Sequence, residues 1–279
     1  MRIDVKKTYK LYIGGAFPRS ESGRVYEIND AKGNFIANPC QGSRKDLRES
    51  VVSARTAFTS WSGATAYNRG QVLYRVAELM EGRTFQFAEE IAALEGVNFK
   101  IAKAQVEAAI DCWVWYAGWC DKIASVTGST NSVSGPYYNF TVPESLGVVG
   151  VFADQKSGLL GLVSGLAPVL AGGNTAIVIA SQKYPLPAIT LSEVLATSDV
   201  PAGVVNILTG VTAELAPWLG AHMDIDGVDV SGLSKSAEAE VRIAGAENLK
   251  RIHRFSESQS ISRIQSFMES KTVWHPIGV

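Results

Sequence analysis

Charge of one sign, cysteine and histidine are all in short supply in this 279-residue sequence. Lysine and arginine total 26 against 27 aspartates and glutamates, and no long run of like charge occurs, so the electrostatic footprint of a nucleic-acid binder is missing. Three cysteines, Cys40, Cys112 and Cys120, are too few and too scattered for a disulfide framework and suit a reducing cytoplasm. None has a C-x-x-C partner, and His222, His253 and His275 have no second ligand at metal spacing, so no metal site is expected. The opening stretch, MRIDVKKTYKLYIGG, has basic residues without the apolar core of a secretory signal. Formal charge is also absent from Ser157 to Gln182, a run of 26 residues. Pro168, Gly172-Gly173 and Asn174 divide it into about three helical turns and a β-branched strand, Thr175 to Ile179, which argues against a membrane span.

What is present changes period along the chain. Tyr9 to Phe17 and Val25 to Asn29 read as short strands around the turn-forming Gly14-Gly15 and Ser22-Gly23. Ser43, with Asp46 three residues on, resembles a capping box, and Leu47, Val51, Ala54, Phe58 and Trp61 then recur at helical steps. Further helices follow through Val72, Val76, Leu79 and Met80, through Phe87, Ile91 and Leu94, and from about Lys100 to Ala124. The last carries WVWYAGWCDK. Its aromatic stack could line a groove, but at helical spacing such residues more often fill a core.

From Gly135 the pattern turns to α/β. Pro136 to Pro143, PYYNFTVP, suits an edge strand or hairpin arm. Strand-like runs follow at Val148 to Phe152, Ala176 to Ala180, Val204 to Leu208, Gly227 to Val230 and Leu249 to His253. Helical segments lie between them, at Leu159 to Leu170, Leu186 to Thr197, Ala213 to His222 and Ala237 to Asn248. This alternation predicts a doubly wound parallel sheet with helices on both faces. In such sheets ligands gather at the carboxyl ends of the strands, which draws attention to the polar loop Ala153 to Gly158, ADQKSG, after the first strand. The G-x-G-x-x-G fingerprint is missing there. Thr209-Gly210 and Ser231-Gly232 each follow a strand and precede a helix, where backbone N–H groups can hold a phosphate; tight turns are the plainer reading. Lys156-Ser157 has no nucleophile-elbow context.

Several of these segments in one order resemble the aldehyde dehydrogenase superfamily: Glu144 to Gly150 (ESLGVVG), Leu166 to Thr175 (LAPVLAGGNT), Pro201 to Leu208 (PAGVVNIL), Leu219 to Ile225 (LGAHMDI) and Asn248 to Arg251 (NLKR). Tyr12 to Phe17 (YIGGAF) and Tyr116 to Trp119 look like its upstream part. Within the superfamily the chain looks most like the shortened, second unit of the tandem family-sixteen proteins. The resemblance implies a Rossmann-like cofactor domain over 1–132 and 144–255. It also implies oligomerisation-flap strands at 133–143 and 266–279, where Ser266 to Trp274 (SFMESKTVW) resembles the final flap strand. A bridging loop would occupy 256–265.

The family works by a cysteine thiolate attacking an aldehyde, hydride transfer to NAD(P) and thioester hydrolysis. Its proline-tryptophan-asparagine segment, whose asparagine helps hold the oxyanion, is matched here by Asp154, Gln155 and Lys156. Its lysine-proline-x-glutamate, which binds the adenosine ribose region, is matched by Ile179, Ala180, Ser181 and Gln182. Its phenylalanine-threonine-glycine-serine turn at the pyrophosphate is matched by Val230, Ser231, Gly232 and Leu233. Phe255 stands at the general-base position, with Glu257 two residues beyond, and no cysteine follows in the last 24 residues. The resemblance therefore implies that the catalytic domain is missing and that no residue here is catalytic. Gln182, Gly210, Ser231 and Gly232 would be at best vestigial cofactor contacts. No cofactor is expected, and any affinity for NAD or NADP would be weak. The expected role is a non-catalytic, cytoplasmic subunit that pairs with itself or with a full-length aldehyde dehydrogenase. The alternatives are a weak NAD(P) sensor, or an oxidoreductase that uses a partner's cysteine.

Overall fold

A computed structural model describes residue 3 and residues 6–278 of the chain. Near the N-terminus, β1 (Ile28–Asn29) and β2 (Phe35–Ala37) form a two-stranded antiparallel ribbon. The expected strand over Tyr9 to Phe17 is reduced to isolated bridges, of which Tyr12 with Ile207 ties the N-terminal segment to the main sheet. Helices α1 (Arg44–Gly63), α2 (Ala66–Glu81), α3 (Thr84–Glu95) and α4 (Phe99–Ala117) come next.

The start of α1 follows from its sequence. Ser43 Oγ accepts from Asp46 N–H at 3.2 Å and the Asp46 carboxylate accepts from Ser43 N–H at 2.8 Å, so two otherwise orphaned donors are satisfied reciprocally. Helix α4 stops at Gly118, short of the expected Ala124, and the chain turns before the short α5 (Ile123–Thr127). The aromatic stack is packing. Trp113 and Tyr116 are fully buried, and Trp115 meets Tyr116 edge-on with centroids 4.8 Å apart.

After β3 (Ser129–Asn131) and β4 (Tyr137–Ser145), the expected alternation unfolds as β5 (Val148–Phe152), α6 (Leu160–Ala171), β6 (Thr175–Ile179), α7 (Leu186–Leu195), β7 (Val205–Leu208), α8 (Thr212–Ala221), β8 (Gly227–Asp229), α9 (Lys235–Ala246) and β9 (Arg251–His253). The five strands pair in parallel in the order β7-β6-β5-β8-β9. Because side chains alternate across a strand, Val149 and Val151 of β5 face a core shared with α4, α6 and α7, while Val148 and Phe152 face one shared with α1, α8 and α9. The uncharged run is explained by this layering: α6 and β6 are buried on all sides, and no helix among the described residues is long and apolar enough to cross a membrane.

The segment 256–265, expected as a bridging loop, ends in a short helix, α10 (Ile261–Gln265). It leads to β10 (Met268–Pro276), which pairs antiparallel with β4 along its whole length, from Met268 opposite Ser145 to Pro276 opposite Tyr137. Together with β3 these strands make a separate sheet in the order β10-β4-β3.

Candidate functional site

Chain order reverses between β5 and β8, so the crevice beyond their carboxyl ends is the position that open α/β sheets use for ligands. A small cavity of about 190 Å³ lies there, bordered by Phe152, Asp154, Ser231, Phe255, Glu257 and Arg263 among others. The loop after β5 supplies little to it. The Asp154 carboxylate accepts from Lys156 N–H at 3.0 Å, and the Lys156 side chain is exposed. Gln155 turns inward: its Nε2 donates to Ala153 O at 3.0 Å, and its Oε1 accepts from Gln182 N–H at 2.9 Å.

The four residues matched to cofactor contacts fall into three places. Gln182 is exposed beyond β6, and its Oε1 accepts from Thr212 N–H at 3.1 Å, where it meets the first turn of α8. Gly210 is buried at φ 151°, and a Cβ on it would come within 3.0 Å of Gly42 N. Ser231 and Gly232 form the turn after β8, and of the two Ser231 lines the cavity at the switch point. Gly232 N–H donates to Phe152 O at 3.1 Å, and a Cβ there would come within 2.1 Å of Ala153 O, so the turn is pressed against the end of β5.

Around Ser231 a dense polar cluster is assembled from three parts of the chain. The Asp229 carboxylate, nearly sealed from solvent, accepts from Ser231 N–H at 2.8 Å and from the Ser231 hydroxyl. The same hydroxyl accepts from Phe255 N–H at 2.9 Å. Opposite lies Arg263 of α10, also nearly sealed, with Nη2 3.5 Å from Asp229 Oδ2 and its guanidinium carbon 4.7 Å from the centre of the Phe255 ring. Arg263 Nη1 donates to Ser164 O. That carbonyl needs an outside donor because Pro168, four residues further along α6, has no N–H to give. Burial pushes the Asp229 carboxyl above the usual carboxylate range, and the attraction of Arg263 opposes the shift.

The segment before α10 is held down from below. Tyr116 OH donates to Ser258 O at 3.0 Å and accepts from Ser260 N–H at 3.2 Å. Cys112 lies under the same stretch, and burial pushes its thiol up to about 12, which leaves almost no thiolate near neutral pH. Sequence reasoning placed Phe255 and Glu257 here but missed Asp229 and Arg263. The signal was present: an aspartate between Val228 and Val230 in a buried strand requires a cation, and Arg263 is the only basic residue between Phe255 and Phe267.

Comparisons with known proteins agree with this architecture. The model of the Aldehyde dehydrogenase family matches residues 17–260. The cytosolic 10-formyltetrahydrofolate dehydrogenase of Mus musculus is 31% identical over 261 residues, covering 90% of this chain and 28% of the relative. Retinal dehydrogenase 2 of Homo sapiens is 30% identical over 259 residues, covering 90% and 48%. Among solved structures, the NAD+ complex of aldehyde dehydrogenase from Bacillus cereus superposes with a TM-score of 0.83 at 26% identity, covering 88% of this chain and 50% of that one. The chain thus spans about half or less of the length of these proteins. With the fold, the motif order and the family match in agreement, the chain belongs to the aldehyde dehydrogenase family.

Proposed function

We propose that this chain is a non-catalytic aldehyde dehydrogenase-like subunit, a cytoplasmic pseudoenzyme that acts in assembly with a second copy of itself or with a full-length, active aldehyde dehydrogenase. The observation that carries the reading is the strand β10. One edge pairs with β4 over nine residues, and the other edge faces no strand among the described residues. Such an edge is a template for another chain, and natural folds cover it or use it. Trp274, Tyr137 and Tyr138 are exposed on the same sheet. Met223, Ile243 and Leu249 are also exposed, at or near the C-terminal ends of α8 and α9. Leu249 is 92% exposed at φ 54°, so the backbone bears left-handed strain while presenting a leucine to solvent. The likeness to the shortened second unit of the tandem family-sixteen proteins fits this role, as does flap duty for β4 and β10.

The switch point supports the non-catalytic part. Asp154, Gln155 and Lys156 stand where the family's oxyanion segment would be, and Phe255 at its general-base position. The groups matched to nucleotide contacts are engaged by the protein itself: Gln182 by Thr212, Ser231 by Asp229 and Phe255, Gly232 by the end of β5. Arg263 fills adjoining space. The engagement of these groups within the protein weighs against a dinucleotide site, and so against both the NAD(P) sensor and the oxidoreductase completed by a partner's cysteine.

Light scattering on the tagged chain isolated from its own cells tests assembly; a lone monomer refutes it. Successive N–H groups along a strand point to opposite edges, so of Thr272→Pro and Val273→Pro one blocks the free edge and the other breaks the β4 ladder. The first is expected to dissociate the assembly while retaining the melting temperature.

A further inference from the structure

A different cavity, of about 400 Å³, opens at the opposite end of the molecule between α1, the end of α6 and the β4–β10 pair. Arg69 lies at its wall and is only 9% exposed. Both of its hydrogen bonds run from Nη1 to backbone carbonyls, Ala64 O at 2.5 Å and Ser62 O at 3.4 Å, and its Nε is buried without a partner. Among the described residues no carboxylate forms an ion pair with it. Burial is the main influence and holds the guanidinium below the usual arginine range, and the one group opposing that shift is the Cys120 thiol. Buried charges in folded proteins are normally paired, because leaving water without a counter-ion is costly. Among the described residues this buried arginine has no counter-ion, and it stands beside an open cavity.

The walls restrict which anion can serve as that counter-ion. Thr59 offers a hydroxyl at the exposed rim, while the Ser145 hydroxyl is already donated to Gly172 O at 2.7 Å. Phe58, Pro143 and Met268 give the cavity an apolar side. Glu144 also borders it and is paired with Lys271 at 2.9 Å; its carboxylate penalises a second negative charge on any guest. The volume lies within the range of small-molecule sites. We propose that this cavity is a binding site for a small monocarboxylate with a short apolar tail, its carboxylate on the Arg69 guanidinium and its tail against Phe58, Pro143 and Met268.

The site is independent of the β10 edge, so either idea can fail without the other. Calorimetric titration of the full chain with hexanoate tests it, with hexanamide and inorganic phosphate as comparators. Hexanoate is expected to bind saturably, hexanamide and phosphate at least about tenfold more weakly, since a charge-assisted hydrogen bond is lost or a second charge is added. Arg69→Gln is expected to weaken hexanoate by a similar factor. Thr59→Trp, a rim change that leaves Arg69 and its carbonyl contacts in place, is expected to abolish binding by filling the mouth, and it decides the matter if the Arg69 variant does not fold. No saturable binding of hexanoate, equal binding of hexanamide, tighter binding of phosphate, or unchanged affinity in Thr59→Trp would each overturn the proposal.

Discussion

Replacing Arg263 by methionine keeps the volume of the side chain near that of the original and removes its charge, leaving Asp229 buried without its counter-ion. Two losses follow from the geometry. The ion pair across 3.5 Å disappears, and Ser164 O loses the one donor that stands in for the missing N–H of Pro168. Breaking one side of a buried pair commonly costs about 3–5 kcal/mol, and an unsatisfied buried carbonyl about 1–3. Asp229 retains both bonds from Ser231, which holds the total toward the lower end, about 4 kcal/mol. Urea unfolding followed by tryptophan fluorescence at pH 7.5 is the assay. Adding Asp229→Asn to Arg263→Met should recover much of the loss, because the orphan charge is removed while an acceptor for Ser231 N–H remains. The pH dependence has a definite sign. A carboxyl whose folded-state pKa is raised contributes stability that is full at low pH and is lost as pH rises through that pKa, so the Arg263→Met deficit should shrink as pH is lowered. A local readout comes from Cys112, which should be inert to thiol reagents in the wild type and become reactive once the stretch at Ser258 loosens. A cost below about 1 kcal/mol, or an additive cost from Asp229→Asn, refutes the reasoning.

Two further outcomes follow from the same packing. Gly232→Ala would place a methyl 2.1 Å from Ala153 O and 2.5 Å from Phe152 O, both backbone atoms that can yield only by moving β5, so a loss of about 2–3 kcal/mol is expected in thermal or urea unfolding. Wild-type stability there would show that the turn is not pressed against the strand. Lys250 Nζ donates to His222 O at 2.7 Å and to Ile225 O, and burial pushes its pKa down to about 8, with Asp226 opposing. A depressed folded-state pKa means that the native form binds fewer protons than the unfolded chain above pH 8. The wild type should therefore gain stability relative to Lys250→Met as pH rises from about 7.5 to 9.5, and parallel pH profiles of the two proteins would contradict the burial argument.

The sheet was legible because its cause is periodic. Val148 to Phe152 and the β-branched run at Thr175 can be buried on both faces only as interior strands, and the helical segments between them leave few topologies open. Boundaries moved where a single residue outweighed the pattern. Gly118 ended α4 although aromatic spacing continued to Trp119, and Ile261 to Gln265 coiled because Ser260 could cap a turn and Ile264 could reach the core. The strand β2 went unseen. Its three residues, Phe35 to Ala37, are too short to display alternation.

The site was less legible because its governing interactions join residues far apart in the chain. The loop ADQKSG attracts notice as a polar island after a strand, yet its side chains mostly serve the loop: Asp154 closes on Lys156 N–H, Gln155 braces Ala153 and Gln182, and Lys156 points to water. The chemistry that fills the switch point comes from Asp229 on β8, Pro168 on α6 and Arg263 on α10. Each has a local oddity, a charge in an apolar strand, a proline inside a helix and a lone cation in a serine-rich segment, and each oddity is resolved by the others. A buried aspartate needs a cation, the carbonyl four residues before a proline needs a donor, and one guanidinium supplies both. Oddities of this kind can be sought in the order of amino acids, and here they converge on Arg263, the residue that serves both Asp229 and the Ser164 carbonyl.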